Sequence, residues 1–382
     1  NLLYTYDEDF RKIFKVKADF DVEVKYTEDI KDEYAYFIAR LCEKEKLLHF
    51  DKEAVAAAIE YAARLVDHKE KLSLRFSEIC DLIRESHFWA SEEKGSLVKK
   101  NHVLKAIEEK EYRSNLIEEK IQNLIEEGTI MVSTEGAVVG QVNGLSVYSL
   151  GDYAFGKPSR ITVRTYPGKE GLINIDREAK LSGRIYNKAV LILSGYLSGR
   201  YAMEKPLSLS ASICFEQSYG EVEGDSASAA EVAAVLSSIA EMPVKQELAI
   251  TGSINQKGEI QPIGGVNEKI EGFYMVCKAK GLTGNQGVII PHQNVKNLML
   301  KKDVIEAVKA GKFHIYNAVT VDDCLEILTG TPAGERQKDG TFKKDTANYL
   351  IEKKLKEMAD KLKKAEKPEK EAKGKKKIKN DE

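Results

Sequence analysis

Two side chains in this sequence are of types, and in settings, that could do chemistry together: a serine, Ser228, at the mouth of one helix and a lysine, Lys269, on the apolar face of another. The stretch YGEVEGDSASAAEVAAVLSSIA, residues 219–240, leaves a turn marked by Gly224 and Asp225 and enters an alanine-rich run. Val232, Val235, Leu236 and Ile239 recur at i, i+3, i+4 and i+7, which predicts a helix. A helix start leaves N–H groups unpaired and carries partial positive charge, so an oxyanion forming beside Ser228 meets donors already in place. The same spelling also fits a structural cap. Ser228 with Glu231 makes a capping box, and Asp225 or Ser226 could cap instead. The turn alone leaves nucleophile and cap open.

Lys269 follows the strand-like ELAITGSI and a turn at Gln256, Lys257 and Gly258, inside the glycine-flanked helical segment PIGGVNEKIEGFYMVCKAKG. It falls three residues after Val266 and four before Phe273, so helical spacing places its stem in the stripe formed with Ile270, Val276 and Cys277. Burial disfavours the ammonium, lowers its pKa and makes a neutral amine available as a base near neutral pH. The other readings are a lysine that snorkels to water, or one neutralised by Glu268 or Glu271.

These words resemble the proteolytic half of Lon-type ATP-dependent proteases, in the archaeal-like LonB branch. EGDSAS resembles that branch's nucleophile motif, with its last serine, Ser228, read as the catalytic one, and TGSINQKGEIQPIGGVNEK resembles the segment that carries the family lysine, Lys269. GQVNGLSVYSLGDYAFGKPSRITV and LSLSASICFEQSYG extend the similarity over residues 130–330 in the expected order. The resemblance implies an α/β (α+β) proteolytic fold and a serine endopeptidase that hydrolyses unfolded or damaged proteins with a Ser228–Lys269 dyad. It further implies that Thr251 hydrogen-bonds and orients the lysine, that Asp225 is an acidic position beside the nucleophile, and that the chains assemble into a hexameric ring. ATP and Mg²⁺ are then expected in an ATPase module of the full-length protein, with no cofactor here. The alternative is a fold that persists without chemistry, as a scaffold or adaptor in a ring, which calls for a salt-bridged Lys269 or a Ser228 walled off from solvent.

Around these motifs the chain divides by texture. Residue 1 is Asn and not Met, and residues 1–26 open without a cap or turn, as expected of the end of an AAA+ core cut from something longer. Residues 27–128 read as an all-α domain, with periodic runs at Tyr36, Ile38, Ala39 and Leu41, at Val55, Ala58, Ile59 and Ala62, and at Ile79, Leu82 and Ile83. This domain resembles the helical lid of AAA+ ATPases, which places Arg75 at a nucleotide-sensing position, while Arg11 is a weaker match at the end of the ATPase core. No GxxxxGK[ST] occurs, so any phosphate site of the parent protein is expected upstream of Asn1. Residues 129–332 read as strands and helices of the proteolytic domain. Leu207, Leu209, Ala211, Ile213 and Phe215 alternate with small polar residues in the strand that leads to the turn. Residues 333–382 are expected to be a charged, largely disordered tail with one solvated helix.

Composition excludes more than it proposes. The 382 residues carry a net charge of −2, 42% apolar and 31% charged residues, which favours no polyanionic partner. The lysine-rich end lacks the interleaved aromatics of a nucleic-acid site, so it is read as solubilising. No apolar run long enough for a membrane span and no leader pattern appears, and the chain reads as cytoplasmic. Five scattered cysteines without CxxC and six histidines without HExxH favour neither a disulfide framework nor a zinc site. No GxSxG elbow is present either.

Overall fold

The computed structural model describes the backbone of residues 1–202 and 207–378 and the side chains as far as residue 365, apart from 203–206. It divides into two units, Asn1–Glu111 and Tyr112–Glu382.

The first unit contains α1 (Leu2–Tyr6), α2 (Glu8–Ile13), β1 (Glu23–Lys25), α3 (Glu28–Glu45), α4 (Lys52–Arg64), β2 (Lys71–Ser73), α5 (Phe76–Glu92) and most of α6 (Lys100–Ser114). Asp51 caps α4 through Ala54 N–H, and Thr27 caps α3 through Ile30 N–H. The buried stripe of α3 is Tyr34, Ile38, Leu41 and Cys42, at i, i+4, i+7 and i+8. Tyr36, counted in that stripe from sequence, is instead exposed. The unit is also not wholly helical. β1 and β2 form an antiparallel ladder, Glu23 opposite Ser73 and Lys25 opposite Lys71, and the Tyr34 hydroxyl donates to the Ser73 carbonyl.

The second unit is built on a seven-stranded mixed sheet in the order β13-β12-β9-β4-β5-β7-β6. In chain order it comprises α7 (Leu116–Glu126), β3 (Ala137–Val139), β4 (Gln141–Ser149), β5 (Ala154–Pro167), β6 (Gly171–Asn174), α8 (Ile175–Glu178), α9 (Arg184–Tyr201) and β7 (Leu209–Phe215). There follow α10 (Ser228–Ala240), β8 (Pro243–Lys245), β9 (Leu248–Ile250), β10 (Ser253–Ile254), β11 (Ile260–Gln261), α11 (Val266–Lys280), β12 (Gly287–Pro291), α12 (Lys302–Lys309), β13 (His314–Ala318), α13 (Val321–Thr329) and α14 (Ala347–Ile378). β9 runs parallel to both β12 and β4, while β4 pairs with β5 antiparallel.

Both faces of the sheet are covered, as the alternation of its strands requires. Ile250 and Ile289 enter a core with α9, α10, α13 and the start of α14, whereas Ala249, Val288 and Ile290 enter a second core with α7, α11 and α12. α10 and α11 therefore approach the sheet from opposite sides.

Two boundary expectations are corrected. Helix α7, expected in the helical domain that ends at 128, belongs to the second unit, because Ile125 is buried with Ile270 and Phe273 of α11. The expected disordered tail is partly structured. Phe342 is buried, and Ala347, Ile351 and Leu355, on one face at four-residue spacing, pack into the core beside α10. Helix α14 continues to Ile378, and residues 379–382 lie outside the described residues.

Candidate active site

The turn before α10 is bent by Gly224, whose φ of +92° suits glycine. It is stitched to the segment that follows β9. Ser226 O accepts from Gly252 N at 2.8 Å and from Thr251 Oγ1 at 3.2 Å, and Ala229 N donates to Gly252 O at 3.0 Å. Thr251 is itself fixed to the sheet, its N–H donating to Ile289 O of β12 at 3.0 Å. The turn thus lies beyond the carboxyl end of β9, where open parallel sheets commonly place their ligands.

Lys269 reaches the same point from the other face. The depth of α11 is set by two glycines. A Cβ on Gly156 of β5 would lie 2.0 Å from Glu268 O, and one on Gly272 would lie 2.1 Å from Gly156 O. Backbone therefore meets backbone, which seats Lys269 close against the sheet. The lysine is 3% exposed, and its Nζ donates to Ser226 Oγ at 2.9 Å and to Thr251 Oγ1 at 3.2 Å. Burial lowers its pKa to about 8, opposed by the negative charges of Asp225 and Glu268. The snorkelling reading does not hold for a side chain so enclosed.

The structure brings together Lys269, Thr251 and the Asp225 turn as expected from sequence, but the serine expected beside the lysine, Ser228, is not the one that meets it. Ser228 is 1% exposed; its Oγ donates to Asp225 O at 2.8 Å and accepts from Ile254 N at 3.0 Å. The hydroxyl that meets Lys269 belongs to Ser226, which is half-buried. Ser228 is the first residue of α10, where its side chain turns inward with Ala229, Ala230 and Val232, whereas Ser226 lies in the turn itself. What separates them is burial, unbroken from Ser228 to Ser237, which leaves the serine beside Asp225 at the open end. The capping box is also absent: Ala227 is the N-cap residue and makes no side-chain cap bond, and Glu231 turns to Tyr186 and Asn174.

The Ser228 and Ala229 N–H groups, expected to await an oxyanion, are spent on Asp225 O and Gly252 O. Those of Ser226 and Ala227 have no partner among the described residues. Arg75 and Arg11 lie in the first unit. Arg75 is the N-cap residue of α5, its side chain 55% exposed and its guanidinium 3.9 Å from Glu78, and Arg11 Nε donates to Tyr4 O at 2.6 Å. Among the described residues no group of three or more His, Cys, Asp or Glu could hold a metal ion, and no helix is long and apolar enough to cross a membrane.

A mixed α/β sheet covered on both faces, with a serine and a buried lysine meeting at its strand ends, has the make-up of a serine-type peptidase domain. The family comparisons agree. Residues 213–330 match the model described as the Lon protease (S16) C-terminal proteolytic domain, and residues 49–113 match that of the archaeal LonB AAA+ ATPase LID domain. The chain is thus Lon-type and LonB-like in its domain content. It is 44% identical over 224 residues to a Lon protease homolog of Escherichia coli (strain K12), covering 58% of this chain and 38% of that protein. It is 32% identical over 306 residues to the archaeal Lon protease of Archaeoglobus fulgidus, covering 78% and 46%, and 33% identical over 312 residues to that of Thermoplasma acidophilum, covering 79% and 45%. The chain spans less than half the length of each of these relatives.

Proposed function

We propose that the second unit is a serine endopeptidase in which Ser226 is the nucleophile and Lys269 the general base. The observation that carries this reading is the 2.9 Å contact between Lys269 Nζ and Ser226 Oγ in a site that excludes most water. In the neutral form of the amine its lone pair accepts the Ser226 proton as Oγ attacks the peptide carbonyl, and the ammonium then returns that proton to the leaving amine. Thr251 Oγ1 accepts from Nζ while donating to Ser226 O, so one hydroxyl fixes lysine and turn together. The N–H groups of Ser226 and Ala227 are the donors that remain for the tetrahedral oxyanion. Asp225 and Glu268 act through charge, holding the lysine pKa above the value that burial alone would impose.

The substrates are unfolded polypeptides, delivered by an ATPase module that binds ATP and Mg²⁺, with Arg75 of the first unit sensing nucleotide and the chains forming a homo-hexameric ring. Support for this part comes from the lid-domain match at residues 49–113 and from the named relatives. The scaffold alternative calls for a Ser228 walled off from solvent or a salt-bridged Lys269; Ser228 is walled off, and what favours hydrolysis over it is the half-buried Ser226, whose hydroxyl meets Lys269 instead. Hydrolysis of an unstructured protein substrate tests the assignment. Ser226→Ala and Lys269→Ala should each abolish turnover while circular dichroism stays unchanged, and continued turnover by Ser226→Ala would remove it as nucleophile.

A further inference from the structure

We infer that Ser228 is a positioning residue whose hydroxyl fastens the Ser226 turn to β10, the strand just after Thr251. This rests on the Ser226–Lys269 reading and deepens it. Serine at a helix start ordinarily serves as N-cap, but here that place falls to Ala227, which makes no side-chain cap bond, and Ser228 is the first residue inside the helix. Alanine is the better helix former there, so the hydroxyl needs a reason that lies outside the helix.

The reason is in its partners. Ser228 Oγ donates to Asp225 O on the near side of the turn and accepts from Ile254 N on β10. Three further hydrogen bonds join the turn to the same segment: Gly252 N to Ser226 O, Thr251 Oγ1 to Ser226 O, and Ala229 N to Gly252 O. Among the described residues, Ser228 is the side chain through which α10 itself takes part in this seam. Lys269 Nζ is bonded on one side to Ser226 and on the other to Thr251, so the spacing between turn and seam sets the distance between base and nucleophile. Ile254 is 2% exposed, and without Ser228 Oγ its buried N–H loses its partner, which costs more than a surface hydrogen bond is worth. The turn then slackens where misplacement by about 1 Å is enough to cost on the order of a hundredfold in rate.

The test compares Ser226→Ala, Ser228→Ala and Ser228→Thr on an unstructured protein substrate, well below each variant's melting temperature. Ser228→Ala should lower kcat by roughly 10- to 100-fold with KM little changed, because substrate contacts are untouched while the reacting atoms shift. Ser228→Thr, which keeps an oxygen able to accept from Ile254 N and donate to Asp225 O, should recover most of that loss. Hydrogen exchange at the Ile254 amide should quicken in the alanine variant and slow again in the threonine one. If Ser226→Ala is inactive while Ser228→Ala turns over like the wild type, the positioning role is wrong and the dyad stands. If Ser226→Ala is active and Ser228→Ala is not, both are wrong and Ser228 is the nucleophile.

Discussion

Lys269 and Ser226 meet at 2.9 Å although they are 43 positions apart and arrive from opposite faces of one sheet. β9 ends between them, and Thr251, the residue just after it, touches both. The geometry of the pair is therefore a property of the sheet and not of either helix alone.

The first prediction concerns pH and rate. With the amine pKa lowered to about 8, the neutral fraction of Lys269 grows as pH rises through that value. kcat/KM on an unstructured substrate should climb from pH 6.5 to 9 and level off above it. A flat profile over that range would mean that another group takes the proton.

The same burial has a cost in stability. The folded lysine releases its proton near pH 8 and the unfolded one near the usual 10.5, so between these values the unfolded chain binds more protons and stability rises with pH. Below pH 8 the cost is fully present, at about 3 kcal/mol. Lys269→Met should therefore be inactive yet melt several degrees higher than the wild type at pH 7, with the gap closing by pH 10.5. A lower melting temperature for the methionine variant would contradict the assignment.

Glu231 shows the opposite sign. Burial raises its carboxyl to about 7, opposed by the Tyr186 hydrogen bond and helped by nearby Asp176. The folded state then holds a proton that the unfolded state releases near the ordinary carboxylate pKa, so this group's contribution to stability falls from there to about pH 7 and is flat beyond. Glu231→Gln keeps an oxygen for Tyr186 and should lose that slope, melting above the wild type at pH 8. Thermal melts of the two proteins from pH 4.5 to 8 measure it directly.

The close approach of β5 and α11 is open to a one-carbon test. Gly156→Ala places a methyl where Glu268 O already stands, so the helix must retreat and Lys269 with it. Activity should fall by about a hundredfold. Stability should fall by about 1–3 kcal/mol, read from denaturant unfolding. Wild-type activity in this variant would show that the lysine is positioned by something else.

Ile351 tests the end of the chain. It is fully buried among core residues, so Ile351→Ala should cost about 2–5 kcal/mol. A change at the exposed neighbouring position Lys353 should be close to neutral in the same unfolding measurement.

Much of this arrangement was legible in the sequence because helical spacing and strand alternation are local. Lys269 fell in the apolar stripe of α11 by counting residues, and Leu209 to Phe215 alternated as β7 does. The choice between Ser226 and Ser228 was not local. It depends on where the first turn of α10 faces, which is decided by packing against the sheet and by the bond from Ile254 N. Tyr36 misled because aromatic residues sit readily on partly exposed faces, and the stripe of α3 is completed by Tyr34 instead. The apolar spacing of Ala347, Ile351 and Leu355 was diluted by the lysines and glutamates between them, and only their burial beside α10 separates a docked helix from a solvated one.

β9 is an interior strand, hydrogen-bonded on both edges and with every residue buried. Heating should therefore leave the reactive pair aligned until the second unit melts as a whole, so loss of turnover and loss of fold should share one midpoint. The chemistry of the second unit is thus lost with its fold and not before it.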